Sequence, residues 1–166
     1  MTTAVGQPTV VGLGEIAVSN RSEDLLVCLG LGSCVCVAAY DPVKSIAGMA
    51  HVVLPDSGGD PNKQTAKFAD VAIPSLFTQM TDLGADLSRV VIKLAGGAHM
   101  APVAAPGVNT MNIGERNAEA VQALLKQAGR RVKAVDLGGD KGRTVRLWVE
   151  SGKVTVAEAG RDQRDF

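Results

Sequence analysis

The chain lacks an excess of charge of either sign: Lys plus Arg and Asp plus Glu both number 17 among its 166 residues. Binders of polyanions concentrate positive charge, so the balance argues against nucleic acid or an anionic membrane as partner. The opening stretch MTTAVGQPTV lacks the basic and apolar regions of a secretory signal, which points to the cytoplasm, where thiols stay reduced. No apolar run reaches the ~20 residues of a bilayer span. The charge-free stretch from Leu25 to Tyr40 is shorter and is broken by Gly30 and Gly32, so it reads as buried core without membrane insertion. Internal repeats and low-complexity linkers are lacking too. With 46% apolar residues, residues 1–166 read as a single domain, its core at about 10–157 and its tail at 160–166 frayed.

Strand and helix signals then divide the chain. TVVGLGEIAVS and DLLVCL read as short strands, and SCVCVAAY and SIAGMAHVVL as two more joined by a turn at Asp41-Pro42-Val43-Lys44. Ala66, Ala69, Ile73, Leu76, Phe77, Met80 and Leu83 recur at spacings of three and four, the mark of a helix with one buried face. Pro74 inside it predicts a kink or an interruption. RVVIKLAGGA is a strand ending in glycines. NIGERNAEAVQALLKQAG is a second helix, with Asn112 and Glu115 spaced as a capping box and Gly129 as its stop. RVKAVDLGG, RTVRLWVE and KVTVAE close the chain as strands, the last two joined by a two-residue turn at Ser151-Gly152. The sum is an α/β (α+β) sandwich with a mixed, hairpin-rich β-sheet core and two main helices.

All three cysteines, Cys28, Cys34 and Cys36, fall within nine positions. A disulfide between Cys34 and Cys36 has poor geometry on one strand face. A zinc site of Cys28, Cys34, Cys36 and His51 lacks the usual knuckle spacing. Cys36, deep in an apolar run, reads as a small core hydrophobe. Cys34 differs, because it opens its strand directly after Gly30-Leu31-Gly32-Ser33. If the turn is Asp41–Lys44, Cys34 and His51 are cross-strand neighbours on one face, their Cβ atoms about 5 Å apart; a slip of one residue would part them.

A thiol beside an imidazole gives up its proton to it and becomes a nucleophile, and the same imidazole later protonates a leaving amine. Backbone amides after the glycines, around Gly32, Ser33 and Cys34, are placed to stabilise an oxyanion. Together these make acyl-transfer chemistry on an amide or ester. Competing signals are weaker. Gly30-Leu31-Gly32 opens a dinucleotide fingerprint, but Val35 occupies the third glycine position and a strand follows. Ser33 does not sit in a G-x-S-x-G elbow, and His99 has no sequence neighbour to act on.

Six motifs, LGLGSC, GMAHVVLPD, KFADVAIPSL, KLAGGAHM, IGERNAEAV and DLGGDKGR, resemble in order the CheD family, the chemoreceptor glutamine deamidases of bacterial chemotaxis, over roughly residues 10–157. The resemblance implies a hydrolase with Cys34 as nucleophile and His51 as base. Its substrates would be glutamines on the helical cytoplasmic part of methyl-accepting chemotaxis receptors, converted to glutamate without a cofactor. It further implies a fold similar to the catalytic domain of the cytotoxic necrotizing factor toxins, and a CheC phosphatase as a partner that restrains the deamidase. One position departs: where the family commonly has a threonine completing a Cys-His-Thr triad, this chain has Cys28, a weaker acceptor. Either activity is lower, or another group, such as Ser33 or a backbone carbonyl, orients His51. The alternative to an enzyme is a non-catalytic receptor adaptor or a regulator of a CheC-type phosphatase.

Overall fold

The computed structural model describes residues 6–100 and 112–166, so the first five residues, part of the stretch read above for a signal, lie outside it. The described elements are β1 (Thr9–Val10), β2 (Ile16–Ser19), β3 (Leu25–Leu31), β4 (Val35–Asp41), β5 (Ile46–Val52), α1 (Ala69–Asp82), β6 (Val91–Gly96), α2 (Ile113–Gln127), β7 (Val132–Leu137), β8 (Arg143–Trp148), β9 (Val154–Glu158) and β10 (Arg164–Asp165). They form two five-stranded sheets, ordered β1-β3-β8-β9-β10 and β2-β5-β4-β6-β7. Both are mixed: β1 runs parallel to β3 and β6 parallel to β7, and the remaining pairs are antiparallel.

The charge-free stretch is explained by the layering. Alternate residues of β4, namely Val35, Val37 and Ala39, pack against Ile73, Leu76, Phe77, Val121 and Leu125 of the helices. The intervening Cys36, Ala38 and Tyr40 pack against Leu26, Val145, Leu147 and Val156 of the other sheet. A strand covered on both faces reads as a continuous apolar run. The helix layer presses close: a Cβ on Gly48 of β5 would lie 2.7 Å from Met80 Sδ and 2.8 Å from Leu76 Cδ1 of α1. No described helix is long and apolar enough to cross a membrane.

Five local expectations are corrected. The segment TVVGLGEIAVS splits, β1 joining one sheet and β2 the other. The helix α1 is not interrupted at Pro74, which lies on its exposed face. The β4–β5 loop is Pro42–Ser45, because the last ladder pair is Asp41 with Ile46. Ser45 takes φ 52° there, and the Asp41 carboxylate shapes the loop by accepting from the N–H of Val43 at 3.0 Å and of Lys44 at 3.2 Å. Burial would raise that carboxyl, but the Arg89 guanidinium at 2.7 Å and three backbone N–H donors hold it well below the usual carboxylate range. The β8–β9 loop is likewise Val149–Gly152, with Trp148 donating to the carbonyl of Lys153 at 3.0 Å. The tail is not frayed: Arg164 pairs with Val156 and Asp165 with Thr155, and Phe166 donates to Val154 at 2.9 Å. An open edge of β9 and an ion pair from Arg164 to Asp136 hold it, neither of which shows as an apolar pattern.

Candidate active site

Cys34 is positioned by irregular backbone. In β3, Cys28 pairs with Val145 but Leu31 with Arg143, so one extra residue bulges near Gly30, whose φ is 57°. The bulge turns both Cys28 and Leu31 into the space between the sheets and sends the chain across through Gly32 and Ser33 to β4. There the end of β6 receives it: Gly97 donates to the Cys34 carbonyl at 2.8 Å and Ala98 to the Gly32 carbonyl at 2.9 Å. The approach is too close for side chains. A Cβ on Gly96, at φ 116°, would lie 2.2 Å from the Cys34 carbonyl oxygen, and one on Gly114 of α2 would lie 2.2 Å from the Ala98 carbonyl. Arg143, buried, locks the same corner by donating to the carbonyls of Gly96 at 3.1 Å and Gly138 at 2.6 Å. Among the described residues, no backbone carbonyl takes the N–H of Ser33 or Cys34.

His51 lies on β5 with only 4% of its surface exposed. The ladder sets it directly opposite Cys36, not Cys34, a slip of two residues that follows from the longer β4–β5 loop. An even slip preserves the face, so Cys34 is its diagonal neighbour and its thiol still meets the imidazole. The segment between β1 and β2 grips His51 three times. Its N–H donates to Glu15 at 3.1 Å, its carbonyl accepts from Gly14 at 3.0 Å, and its ring Nδ1–H donates to the Val11 carbonyl at 2.9 Å. That last bond leaves Nε2 as the lone-pair nitrogen of the neutral ring. Nε2 is buried with no well-directed hydrogen bond, and the polar groups standing against the ring are the thiols of Cys28 and Cys34.

Cys28 projects from β3 with no exposed surface. Its neighbours shift the whole cluster. The neighbouring Cys36 thiol, against burial and with help from His51, pulls Cys28 down from 9.0 to about 6. The same contact and burial push Cys36 up. Burial presses His51 down, but the thiols of Cys28 and Cys34 and the Val11 carbonyl outweigh it and hold the imidazole up at about 10. An imidazolium and a thiolate thus coexist at neutral pH. The acidified thiol is the enclosed Cys28, whereas Cys34, 9% exposed at the strand mouth, is the thiol within reach of a substrate.

These shifts act on stability in opposite directions. The imidazolium of His51 contributes fully below pH 6.5 and loses its contribution as pH rises through about 10. The thiolate of Cys28 contributes fully above pH 9.0 and loses its contribution as pH falls through about 6. The two trends cancel between pH 6.5 and 9.0, so melting temperature is expected to stay flat there and to fall outside that window, whereas His51→Gln removes one of them and should tilt the plateau. Identical profiles for the two proteins would refute the ion pair.

Of the residues expected at the site, Cys34, His51, Cys28, Gly32 and Ser33 come together. His99 is an exposed loop residue whose N–H donates to the Gly139 carbonyl at 2.8 Å. Among the described residues, no three His, Cys, Asp or Glu side chains stand in a metal-ligating arrangement, so the zinc set gains no support. Two residues were not foreseen. A backbone carbonyl was among the groups expected to orient His51, but that Val11 supplies it has no residue-type signal. Asn117, whose amide donates to the Ser33 carbonyl at 3.0 Å, was readable as a polar residue one helical turn before Val121 on the buried face of α2.

Comparison with known proteins supplies the family. The family model described as CheD chemotactic sensory transduction matches residues 53–158. A probable chemoreceptor glutamine deamidase CheD of Symbiobacterium thermophilum is 44% identical over 158 residues, covering 94% of this chain and 95% of its own. The chemoreceptor glutamine deamidase CheD of Thermotoga maritima is 44% identical over 151 residues, covering 91% and 92%. A probable counterpart in Archaeoglobus fulgidus is 42% identical over 156 residues, covering 92% and 94%. Among solved structures, the Bacillus licheniformis hypothetical protein YfiH aligns with TM-score 0.46 and 15% identity over 83% of this chain and 60% of that one, too distant to inform the chemistry. With a family model over most of its length and relatives of this identity over more than nine-tenths of it, the chain belongs to the CheD family.

Proposed function

We propose that this protein deamidates glutamine side chains of chemoreceptors to glutamate, releasing ammonia. The relatives' names support the substrate class, and one observation carries the chemistry: a reachable Cys34 thiol meets a buried histidine whose Nδ1 is already committed to the Val11 carbonyl. One proton is shared between the imidazole and the thiols. When His51 hands its proton to the Cys28 thiolate and takes that of Cys34, the freed Sγ attacks the carboxamide carbon, and the N–H groups of Ser33 and Cys34 receive the oxyanion. The His51 imidazolium protonates the departing nitrogen, leaving a thioester and ammonia. Neutral His51 then takes a proton from water, whose oxygen attacks the thioester and restores the Cys34 thiolate. No cofactor is required.

Val11 does the orienting that the family's threonine would do, so Cys28 packs against the ring as a second thiol without having to hold it. Met100, 50% exposed, lies against Gly32 beside the nucleophile, an apolar surface suited to a protein substrate. We assign that substrate to the helical cytoplasmic part of methyl-accepting receptors, with a CheC-type phosphatase as restraining partner and the cytoplasm as compartment.

Incubating a receptor fragment with the protein should add about one dalton per modified glutamine by mass spectrometry, and iodoacetamide near neutral pH should label Cys34 ahead of Cys28 and Cys36. An unchanged fragment together with slow, uniform labelling of all three thiols would favour a non-catalytic adaptor instead.

A further inference from the structure

Asn117 is fully buried in α2, far along the chain from Cys34 and His51, yet it touches the backbone next to both. Its Nδ2 donates to the carbonyl of Ser33 at 3.0 Å and to the carbonyl of Val53 at 2.9 Å. Ser33 immediately precedes Cys34, and Val53 follows His51 by two. The amide oxygen, Oδ1, is buried with no partner. An apolar residue at this buried helical position would avoid that orphan, so the two donated bonds are what the asparagine is for.

The bond to Ser33 has a directional consequence. The Ser33 carbonyl and the Cys34 N–H belong to one trans peptide unit, in which they point opposite ways. The helix α2 covers the face of β4 that carries Val35 and Val37, while the Cys34 thiol lies on the other face, among the residues between the two sheets. A donor on the helix side therefore draws the Ser33 carbonyl toward α2. The same bond turns the Cys34 N–H away from the helix, toward the side on which the thiol stands.

We propose that Asn117 is a positioning residue that sets the Ser33–Cys34 peptide so that the Cys34 N–H meets the oxyanion formed during deamidation. The inference rests on the deamidase reading above. Because an oxyanion exists only in the transition state and tetrahedral intermediate, Asn117 acts on kcat and leaves KM nearly unchanged. It also leaves the attack of Cys34 on iodoacetamide nearly unchanged, since displacement at a saturated carbon develops no oxyanion.

The test compares the full chain with Asn117→Ala, Asn117→Asp and Val121→Ala. Asn117→Asp keeps the size and loses the amide donor, and a thermal melt of each variant separates loss of the donor from loss of the fold. Val121, fully buried one turn further along α2, controls for loss of stability alone. Removing one oxyanion donor lowers kcat by ~10²-fold, and a fall of that order is expected in both Asn117 variants. KM and the iodoacetamide rate at Cys34 should stay within about threefold, and Val121→Ala should keep its kcat. Wild-type kcat in Asn117→Asp, an alkylation rate that falls in step with kcat, or an equal fall in Val121→Ala would overturn the assignment. A wild-type protein that leaves receptor glutamines unchanged would sink the deamidase reading and this inference together, whereas an active wild type with an unimpaired Asn117→Asp sinks this inference alone.

Discussion

Cys34→Ala is expected to abolish deamidation while leaving the fold in place. The thiol is the only one of the three with exposed surface at the strand mouth, so no neighbour can take over its attack. Cys28 is the more acidic thiol, but it is shut between the sheets with no exposed surface, and Cys36 is almost as enclosed and is pushed toward its neutral form. Losing the nucleophile of a covalent mechanism removes the intermediate itself, and a drop of at least about 10³-fold follows. The alanine keeps the Cβ and deletes one sulfur, a loss of about 1 kcal/mol of packing. Intact-mass measurement of a receptor fragment and a thermal melt check both halves. Mass gain at the wild-type rate in Cys34→Ala would remove Cys34 from the mechanism.

Gly96→Ala is expected to be the most damaging single-methyl insertion near the site. Gly96 has φ 116°, a region that costs an L-residue about 1–3 kcal/mol. The new Cβ would also stand 2.2 Å from the Cys34 carbonyl oxygen. Something must move, and the movable partner is the loop that carries the nucleophile, because β6 is held on its other side by β7 and by the bond from Arg143 to the Gly96 carbonyl. Strain and overpacking together amount to about 3–5 kcal/mol, which for a domain of this size lowers the melting temperature by roughly 10 °C. Turnover should fall with it, since the N–H groups of Ser33 and Cys34 shift. A variant that melts within about 2 °C of wild type, equivalent to about 0.5–1 kcal/mol, and keeps its turnover would show that the loop accommodates the methyl freely.

The parts of this architecture that were legible in the chain are those that depend on side-chain chemistry at regular spacing. The stripe from Ala69 to Met80 located α1, and Asn112 with Glu115 located the start of α2, where the Asn112 side chain accepts from the Glu115 N–H at 3.2 Å. The face shared by Cys34 and His51 was also legible, because parity survives an even change in loop length. The register itself was not. It depends on Ser45 at positive φ and on a carboxylate, Asp41, that serves a turn and an arginine at once. The acceptor for His51 was out of reach of residue-type reasoning altogether, since a carbonyl is common to every residue and only the path of the chain brings that of Val11 to the ring. Asn117 was hidden for a different reason: a polar residue in an amphipathic helix is assigned to the wet face by default, and only its spacing from Val121 and Leu125 contradicted that. The short strand β10 carries no apolar signature because its hold on β9 is made by backbone and charge.

Val11 also governs when the reactive centre can exist during synthesis of the chain. Its N–H donates to Val27 in the sheet built on β3, at 2.7 Å, and its carbonyl accepts from His51 in the sheet built on β4 and β5. That residue is therefore a rivet through both sheets, and it is in place only after they have docked. Until then the histidine has no fixed tautomer and the thiols have no ion-pair partner. The nascent chain carries three ordinary cysteines with little thiolate among them, and oxidants or stray electrophiles find little to react with. Reactivity arrives as the last product of assembly, in a molecule that has already closed around two of its three sulfurs.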